Sequence, residues 1–372
     1  MKLSDIPTPA YVIDREKLEG NLRILSRVEK DTGCRILLAQ KAFSCYRYYP
    51  LIGQYISGTA ASGLYEARLS HEEMGKENHV FCPAYTAEEF PEIAEMCDHI
   101  VFNSLAQIRK FSPSCGPKNS IGLRVNPEFS TQGGGIYDPC AEGSRMGVRA
   151  LDLEREGLPS CVEGLHMHTL CEQGAEDFAA TAAVFEERFG KYLKGLRWVN
   201  FGGGHHITKE GYDLGLLEKT VRHFADAYGV QVYLEPGEAV ALNAGTLRTR
   251  VLEIVRNGMD IAILDCSAEC HMPDVLEMPY RPPLPGSGMP GEKRYAYRLS
   301  SRTCLAGDVI GDYSFDSPLR EGDVLTFGDM AIYTMVKNNT FNGMPLPAIA
   351  EKDGEECTVI KSFGYDDFKR RV

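Results

Sequence analysis

The sequence predicts an α/β protein made of a (β/α)8 barrel of the TIM type and a second, mostly β domain. Two observations support this prediction. Short apolar runs alternate with longer segments of helical period over the first part of the 372 residues, whereas strand-like runs separated by turns fill the rest. We therefore predict a barrel over residues 10–245 and a C-terminal β domain over residues 246–372, to which residues 1–9 contribute.

Eight apolar runs are predicted to form the barrel strands because each is short and rich in β-branched or aliphatic residues. They are Ile36–Lys41, Tyr55–Thr59, Val80–Cys82, Ile100–Phe102, Ile121–Val125, Val162–His168, Trp198–Phe201 and Val232–Glu235. The helices predicted between them include Leu64–Met74, Ala87–Met96, Glu176–Leu193 and Leu214–Tyr228. Eight such units match a barrel of about 250 residues, although a doubly wound open sheet has the same alternation.

Polar residues stand at or just beyond the carboxyl ends of these predicted strands, which is where barrel active sites are built. They are Lys41, Ser62, Asn103, Asn126, His168, Gly202–Gly204 and Glu235. Their location favours the closed barrel over the open sheet.

The pattern changes after residue 245. Strand-like runs there are separated by turns rich in proline and glycine, such as Arg281–Gly286. The runs are Thr249–Val255, Ile261–Asp265, Val324–Phe327 and Ala331–Met335. Pro9–Ile13 is a candidate for one more strand of this β domain.

Composition and charge restrict the classes of function. Hydrophobic residues make up 43% of the chain and charged residues 25%, which is typical of a folded enzyme. The net charge of −12 is expected to repel nucleic acid and anionic lipid and to attract cations. We therefore predict neither a nucleic-acid nor a membrane partner, and a cationic substrate becomes a candidate.

The N-terminal residues lack the apolar segment of a signal peptide, and no stretch is long and apolar enough to cross a bilayer. This pattern predicts a cytoplasmic location. We accordingly expect free thiols at the 12 cysteines, which are scattered along a long chain.

Two features at predicted strand ends have the chemistry to bind a cofactor. Lys41 ends an apolar strand, where desolvation would lower its pKa and make its amine a nucleophile toward an aldehyde. A lysine that extends its ammonium into solvent is the alternative. Gly202–Gly204 follow the seventh strand, where glycine N–H groups can approach a phosphate or simply form a turn.

Two carboxylates and a thiol add to these candidates. Glu235 ends the eighth strand and can pair with a protonated ring nitrogen, and Glu238 can pair with a cationic substrate. A solvated charge pair is the alternative for both. Cys304, in the turn-rich segment Ser301–Asp308, is the candidate reactive thiol.

His166 and His168 form a pair that binds a catalytic metal in some other barrels. Side chains alternate along a strand, so His168 at the mouth is the candidate for function and His166 for structure. Cys270 and His271 lack a second cluster to complete four ligands. We predict no metal site, and a metal-dependent barrel hydrolase that uses these four residues is the alternative from another class.

Several motifs follow one another along nearly the whole chain. They are Leu38–Phe43, Leu123–Pro127, Ser144–Gly147, Phe201–His206, Glu235–Ala239 and Asp265–Asp274. The chain resembles the fold type III pyridoxal-phosphate decarboxylases, the group of ornithine and diaminopimelate decarboxylases on the alanine-racemase barrel. Within that group, the motifs are similar to those of the carboxynorspermidine/carboxyspermidine decarboxylases.

The resemblance implies that pyridoxal 5'-phosphate is the cofactor and that three barrel residues act on it. Lys41 would hold the cofactor through its amine, and His168 would stack on the ring. Glu235 would keep the pyridine nitrogen protonated, so that the ring accepts the electron pair left when CO2 departs.

Further residues receive roles from the same resemblance. Gly203, Gly204 and Tyr333 would bind the phosphate of the cofactor. Cys304 would protonate the α-carbon of the substrate, acting across the interface of a homodimer.

One departure from the family concerns the substrate. Ornithine and diaminopimelate decarboxylases carry arginine after Glu-Pro-Gly, where it contacts the phosphate, whereas this chain has Glu238. The change removes a phosphate partner and supplies a partner for an amine. Asp274, in the loop that sets substrate length in relatives, is a second candidate partner. Leu305 replaces the aspartate that follows the cysteine in ornithine decarboxylases.

The resemblance thus implies decarboxylation of carboxynorspermidine or carboxyspermidine to norspermidine or spermidine and CO2. Diaminopimelate or another basic amino acid is the alternative substrate. A non-catalytic pyridoxal-phosphate carrier is a third hypothesis. The β domain argues against it, because the non-catalytic carriers of this fold group are single barrels. One methylene changes binding in an apolar pocket by only about 1 to 3 kcal/mol, so the sequence does not rank the two polyamines.

Overall fold

Two units make up the chain in a computed structural model that describes residues 1–133 and 137–372. Asn21–Val240 form the first, the barrel unit. Met1–Gly20 and Ala241–Val372 form the second, the β unit. The division differs from the predicted boundaries at 10 and 245 mainly at the N-terminus, because the strand at Ala10–Asp14 pairs with strands of the β unit.

The strands and helices of the described residues are numbered in chain order. The strands are β1 (Ala10–Asp14), β2 (Arg35–Ala39), β3 (Gly58–Ala61), β4 (Glu77–Phe81), β5 (His99–Phe102), β6 (Ser120–Asn126), β7 (Val148–Arg149), β8 (Gly164–His166), β9 (Trp198–Asn200), β10 (Gln231–Leu234), β11 (Gly245–Asn257), β12 (Met259–Leu264), β13 (Tyr295–Ser301), β14 (Val309–Phe315), β15 (Val324–Gly328), β16 (Ala348–Asp353) and β17 (Glu356–Lys361). The helices are α1 (Arg15–Thr32), α2 (Tyr49–Ile52), α3 (Leu64–Glu73), α4 (Phe90–Met96), α5 (Leu105–Phe111), α6 (Ala150–Glu156), α7 (Ala175–Leu193), α8 (Leu214–Tyr228), α9 (Glu238–Ala241), α10 (Ala268–His271), α11 (Asp274–Glu277) and α12 (Tyr365–Arg371). Short 3-10 turns occur at Leu3–Asp5, Tyr46–Tyr48, Ser112–Ser114 and Phe341–Gly343.

Eight parallel strands close the barrel. Their order around it is β2, β3, β4, β5, β6, β8, β9, β10 and back to β2. The short strand β7 pairs with β6 outside this ring. The predicted (β/α)8 barrel is confirmed, and its closure excludes the doubly wound open sheet.

A single indole ring packs inside the barrel at the level below the strand ends. A Cβ atom at Gly122 or Gly164 would lie 2.4 or 2.0 Å from the ring of Trp198, so two neighbouring strands carry glycine where this ring packs. The residues of other strands that pack around it are Leu37, Ala60, Val101 and Tyr233. Side chains therefore fill the barrel, which leaves its carboxyl end for polar groups.

The helices of the barrel unit follow the predicted apolar spacing. The helix α8 begins after Asp213, whose side chain accepts a hydrogen bond from the N–H of Leu216 at 2.9 Å. It ends at Tyr228, and the next residue, Gly229, caps it with φ of 68°. None of the described helices is both long and apolar enough to span a membrane.

The β unit contains a mixed sheet of eight strands. Its order is β14, β13, β12, β11, β1, β16, β17, with β15 also paired to β11. The predicted strand at Ala331–Met335 is wrong, because this segment forms turns. Tyr333 has φ of 48°, and its carbonyl accepts hydrogen bonds from the N–H groups of Val336 and Lys337. The apolar residues of this segment reflect burial in a turn.

Candidate active site

Lys41 follows β2 at the carboxyl end of the barrel strands. Its side chain is exposed to solvent, yet the surrounding protein desolvates the ammonium and lowers its pKa. The positive charge of Arg124 lowers the pKa further, and Glu235 opposes the shift by attraction. Lys41 therefore combines access with easy deprotonation, which a nucleophile toward an aldehyde requires.

Glu235 follows β10, the strand that pairs with β2, so its carboxylate belongs to the same end of the barrel as Lys41. Burial alone would raise the pKa of Glu235, but its contacts with His166 and Asn200 lower it to about 2. The Nδ2 of Asn200 donates to Oε1 at 2.7 Å, and Nε2 of His166 lies 3.4 Å from Oε2. The carboxylate is therefore ionised at neutral pH.

His166 and Asn200 both contact the carboxylate of Glu235, and the sequence predicts this contact for neither residue. His166 is fully enclosed by protein, and burial lowers its pKa, so the neutral ring donates its Nε2–H to Glu235. Asn200 is absent from the predicted site, although it ends β9 just as other polar residues end their strands. That position was the signal that would have found it.

His168 lies at the barrel mouth as predicted, and two neighbours fix its ring and its backbone. The N–H of Gly203 donates to its Nδ1 at 2.8 Å, which places the proton of the neutral ring on Nε2. Arg124 donates to the carbonyl of His168 at 3.2 Å. Burial and the charges of Lys41 and Arg124 hold the pKa of His168 well below its usual value. The imidazole is thus a neutral, oriented ring.

The glycine loop packs so closely against its surroundings that side chains have no room. A Cβ at Gly203 would lie 2.4 Å from the carbonyl oxygen of Glu235, and one at Gly204 would lie 2.0 Å from that of Leu170. Gly204 also has φ of 84°. The loop backbone is therefore open to close approach, as predicted. The N–H of Gly203 donates to His168 in this structure. Phosphate binding by Gly203 and Gly204 stays a prediction.

Glu238 begins α9 and is buried beside a histidine. Its Oε2 lies 2.7 Å from Nε2 of His206, and both residues are less than a tenth exposed. His206 is the last residue of the Phe201–His206 motif, and the sequence predicts no role for it. It fixes the orientation of the Glu238 carboxylate, for which a contact with a substrate amine stays a prediction.

Arg124 is a charged residue that is missing from the predicted site. Its guanidinium lies over the ring of Phe81 at 4.5 Å, and its side chain is buried. Burial lowers its pKa to about 10, so that it still carries a charge at neutral pH. Arg124 therefore balances the charge of Glu235 inside the barrel end.

The remaining candidates belong to the β unit. Cys304 is exposed in the loop between β13 and β14, and its N–H donates to Oδ1 of Asn342 at 2.7 Å. Asp274 begins α11, and its Oδ1 accepts a hydrogen bond from Nζ of Lys337 at 2.5 Å. Tyr333 is half-buried in its turn.

The histidines and cysteine of the hydrolase alternative have other partners. His271 lies 3.0 Å from the carbonyl oxygen of Pro345, and Sγ of Cys270 donates to the carbonyl of Phe341 at 3.5 Å. Among the described residues, a different group could hold a metal ion, with its ligand atoms within 4.8 Å of one another. It consists of Glu77, His79 and His99.

That group lies on β4 and β5 and already forms a hydrogen-bonded network. Oε1 of Glu77 lies 3.2 Å from Nε2 of His79 and 3.3 Å from Nε2 of His99. Tyr233 donates to the same oxygen at 2.8 Å, and Arg35 donates to the other at 2.8 Å. The two imidazole rings stack with centroids 3.9 Å apart. The network is absent from the predicted site because its members precede the strand ends.

Comparison with known proteins identifies the family. The protein-family model described as "Pyridoxal-dependent decarboxylase, C-terminal sheet domain" matches residues 10–331. The chain belongs to the pyridoxal-dependent decarboxylases. Pyridoxal phosphate is therefore its cofactor. The predicted decarboxylase is confirmed over its two alternatives, the metal-dependent hydrolase and the non-catalytic carrier.

Relatives of this decarboxylase narrow its place in the family. The carboxynorspermidine/carboxyspermidine decarboxylase of Campylobacter jejuni is 46% identical over 98% of both chains. The carboxyaminopropylagmatine decarboxylase of Synechocystis is 40% identical over 100% of this chain and 97% of that one. The crystal structure of carboxynorspermidine decarboxylase complexed with norspermidine from Campylobacter jejuni has a TM-score of 0.93 at 44% identity, and the match covers 99% of this chain and 100% of that one. The predicted resemblance is confirmed.

Proposed function

We propose that this decarboxylase converts carboxynorspermidine or carboxyspermidine to norspermidine or spermidine and CO2. The ionised carboxylate of Glu235, held by His166 and Asn200, supports the reaction type, and the similarity to the Campylobacter jejuni enzyme supports the substrate. In the reaction, the bond between the α-carbon and its carboxylate breaks, CO2 leaves, and a proton takes its place.

The barrel residues fit pyridoxal phosphate. Lys41 offers an accessible amine of lowered pKa, and the glycine loop offers backbone that a Cβ would obstruct. We assign Lys41 to the aldehyde, His168 to the ring, Glu235 to the pyridine nitrogen, and Gly203, Gly204 and Tyr333 to the phosphate. When bound, the cofactor supplies a ring that accepts the electron pair left by CO2.

The charge at Glu235 determines which reaction the site favours. An ionised carboxylate stabilises a proton on the facing ring nitrogen, and a protonated ring withdraws electrons more strongly. His166 and Asn200 hold that charge by hydrogen bonds, and Arg124 stays cationic nearby. The chain thus fixes in advance the electrostatics that decarboxylation requires.

Cys304 is the proposed donor of the proton that replaces CO2. Its thiol is exposed, which suits a group that must reach a substrate atom. We further propose that the enzyme is a cytoplasmic homodimer in which Cys304 acts on the partner's substrate. Sedimentation of the holoenzyme, and activity restored by mixing Lys41→Ala with Cys304→Ala subunits, test the dimer.

We assign Glu238 and Asp274 to the ammonium groups of the substrate tail. In the structure, Asp274 and Glu277 already bind a primary ammonium at the end of an aliphatic chain, that of Lys337. A polyamine tail ends in the same chemical group. This contact supports an amine-tailed substrate.

The carboxyaminopropylagmatine decarboxylase among the relatives indicates a second candidate substrate. An agmatine tail ends in a guanidinium, a planar fork of N–H donors, whereas an ammonium is a compact point charge. The ammonium of Lys337 beside Asp274 favours the polyamine. Carboxyaminopropylagmatine and meso-diaminopimelate are therefore the comparison substrates.

Steady-state kinetics of CO2 release test the proposal. We expect turnover of carboxynorspermidine and carboxyspermidine, with the visible absorbance of lysine-bound pyridoxal phosphate lost in Lys41→Ala. Higher kcat/KM on diaminopimelate, with lysine as product, would show that the substrate assignment is wrong. An unchanged absorbance in Lys41→Ala would refute the assignment of the cofactor-binding residue.

A further inference from the structure

Asp308 is a buried carboxylate that accepts hydrogen bonds from five groups. It lies just before β14, and its side chain is 1% exposed. The donors are the hydroxyl groups of Ser267, Ser301 and Thr303 and the N–H groups of Ala268 and Glu269. All five donors are neutral. A buried carboxylate depends on such donors for its stability.

One side of this cluster belongs to the segment that leads to Asp274. Oδ2 of Asp308 accepts from the hydroxyl of Ser267 at 2.6 Å, and Oδ1 accepts from the N–H of Ala268 at 2.8 Å. Ser267 also caps α10, because its Oγ accepts the N–H of Cys270. The helix α10 is followed closely by α11, which Asp274 begins.

The other side belongs to the loop of the proposed acid Cys304. The hydroxyl groups of Ser301 and Thr303 both donate to Oδ2 of Asp308. Thr303 immediately precedes Cys304, so a single peptide bond joins the residue that Asp308 holds to the residue that carries the thiol. A single carboxylate therefore joins two segments that are about 35 residues apart in sequence.

We propose that Asp308 is a positioning residue for decarboxylation, which fixes the Cys304 loop against the helix pair that presents Asp274. This inference rests on the proposed roles of Cys304 in protonation and Asp274 in substrate binding. The carboxylate is suited to the task because it only accepts hydrogen bonds and has about four acceptor sites, so it can hold donors from both segments at once. Small displacements of a reacting group lower its rate steeply.

The two segments can be released separately. Thr303→Val removes a hydroxyl on the Cys304 side, and Ser267→Ala removes one on the Asp274 side. We expect Thr303→Val to lower kcat on the order of tenfold with little change in KM. Ser267→Ala should raise KM on the order of tenfold with kcat nearly unchanged. Asp308→Asn, which places donors against donors, should alter both.

The control is Ser314→Ala, which removes a buried hydroxyl of β14 that donates to the carbonyl of Met289. Its effect on kcat and KM should be small. If this variant reproduces the changes of Thr303→Val and Ser267→Ala, the effects are general losses of packing and the proposal is refuted. Wild-type kinetics in both test variants would also refute it.

Thiol reactivity gives a readout that does not depend on the proposed function. Cys304 and Cys161 are both exposed, so iodoacetamide labelling of the holoenzyme can follow the two side by side by peptide mass spectrometry. We expect Thr303→Val to change the rate at Cys304 several-fold while Cys161 keeps its rate. Equal rates at Cys304 in variant and wild type would overturn the proposal. Failure of the proposed function would instead appear as wild-type kcat in Cys304→Ala.

Discussion

Nε2 of His166 lies 3.4 Å from Oε2 of Glu235, and the contact joins the last residue of β8 to the residue that follows β10. Asn200 holds the other oxygen at 2.7 Å. Together they offset the effect of burial and lower the pKa of Glu235 to about 2. His166, which the sequence assigns to structure, therefore holds the carboxylate of Glu235 in its ionised form.

Replacing His166 by alanine should move the acid limb of the pH profile of kcat to higher pH. The pKa of Glu235 is lowered from 4.5 to about 2, so the carboxylate stays ionised below pH 4.5 and is protonated only as the pH falls to about 2. Loss of His166 raises this pKa, so protonation begins at higher pH. The exposed His71→Ala is the control. An unshifted acid limb in His166→Ala would contradict the role.

Glu235→Gln should lower kcat by about 10²- to 10³-fold, the usual loss when one preorganised electrostatic partner of a transition state is removed. Cofactor content should change little, since Lys41 and the phosphate contacts remain. Absorbance and single-turnover CO2 release measure the two separately. Near wild-type kcat in a fully loaded variant would remove the basis for assigning Glu235 to the ring nitrogen.

Glu238→Gln and Asp274→Asn should raise KM by about ten- to a hundredfold with smaller effects on kcat, because each removes a charge-assisted hydrogen bond to the tail. His206→Ala should raise KM less, since it only releases the carboxylate of Glu238 that it holds at 2.7 Å. The matched control is Glu89→Gln on an exposed segment of the barrel unit. If neither test variant changes KM, the tail is bound elsewhere.

Lys337→Met should strengthen binding of norspermidine. The ammonium of Lys337 occupies Asp274 and Glu277, and the pKa of Lys337 is raised although burial opposes this, so it is charged at neutral pH. Its removal leaves two carboxylates for the added cation. Calorimetric titration with norspermidine compares wild type, Lys337→Met and Lys337→Arg. Weaker binding to Lys337→Met would mean that Lys337 positions Asp274 instead of competing for it.

Gly204→Ala should lose cofactor. A methyl group there would approach the carbonyl oxygen of Leu170 to 2.0 Å, and the backbone has φ of 84°. The loop must then leave its present path, on which the proposed phosphate contacts depend. Gly20→Ala, in a helix with open space around the added atom, is the control. Full pyridoxal-phosphate occupancy in Gly204→Ala would show that the loop does not need its present path.

The barrel could be predicted because each of its strands and helices is marked by a pattern of residues close together in the sequence. Each strand is a short apolar run, and Lys41, His168 and Glu235 stand at strand ends where parallel strands bring their carboxyl termini together. The bounds of α8 at Leu214 and Tyr228 agree with the apolar spacing because both ends carry their capping residues. The order of these residues along the chain and their apolar spacing are therefore enough to predict the barrel and its strand-end residues.

Contacts between distant residues could not be predicted in the same way. His206 and Arg124 carry no pattern that distinguishes them from other polar residues until the strands are arranged side by side. Asn200 stands at a strand end as the predicted residues do, but its hydrogen bond to Glu235 exists only once β9 and β10 are neighbours. The apolar residues of Ala331–Met335 predict a strand, but burial of a turn produces an apolar run as well. The positive φ of Tyr333 belongs to that turn. Pairwise geometry, not composition, decides these positions.

The most direct test is the ratio of kcat/KM values for carboxynorspermidine, carboxyspermidine, carboxyaminopropylagmatine and meso-diaminopimelate, measured as CO2 release by the purified holoenzyme. We predict that one of the two carboxylated polyamines has the highest value and that Lys41→Ala abolishes turnover of every substrate. A higher kcat/KM for carboxyaminopropylagmatine or diaminopimelate would contradict the assignment of this decarboxylase to norspermidine or spermidine formation.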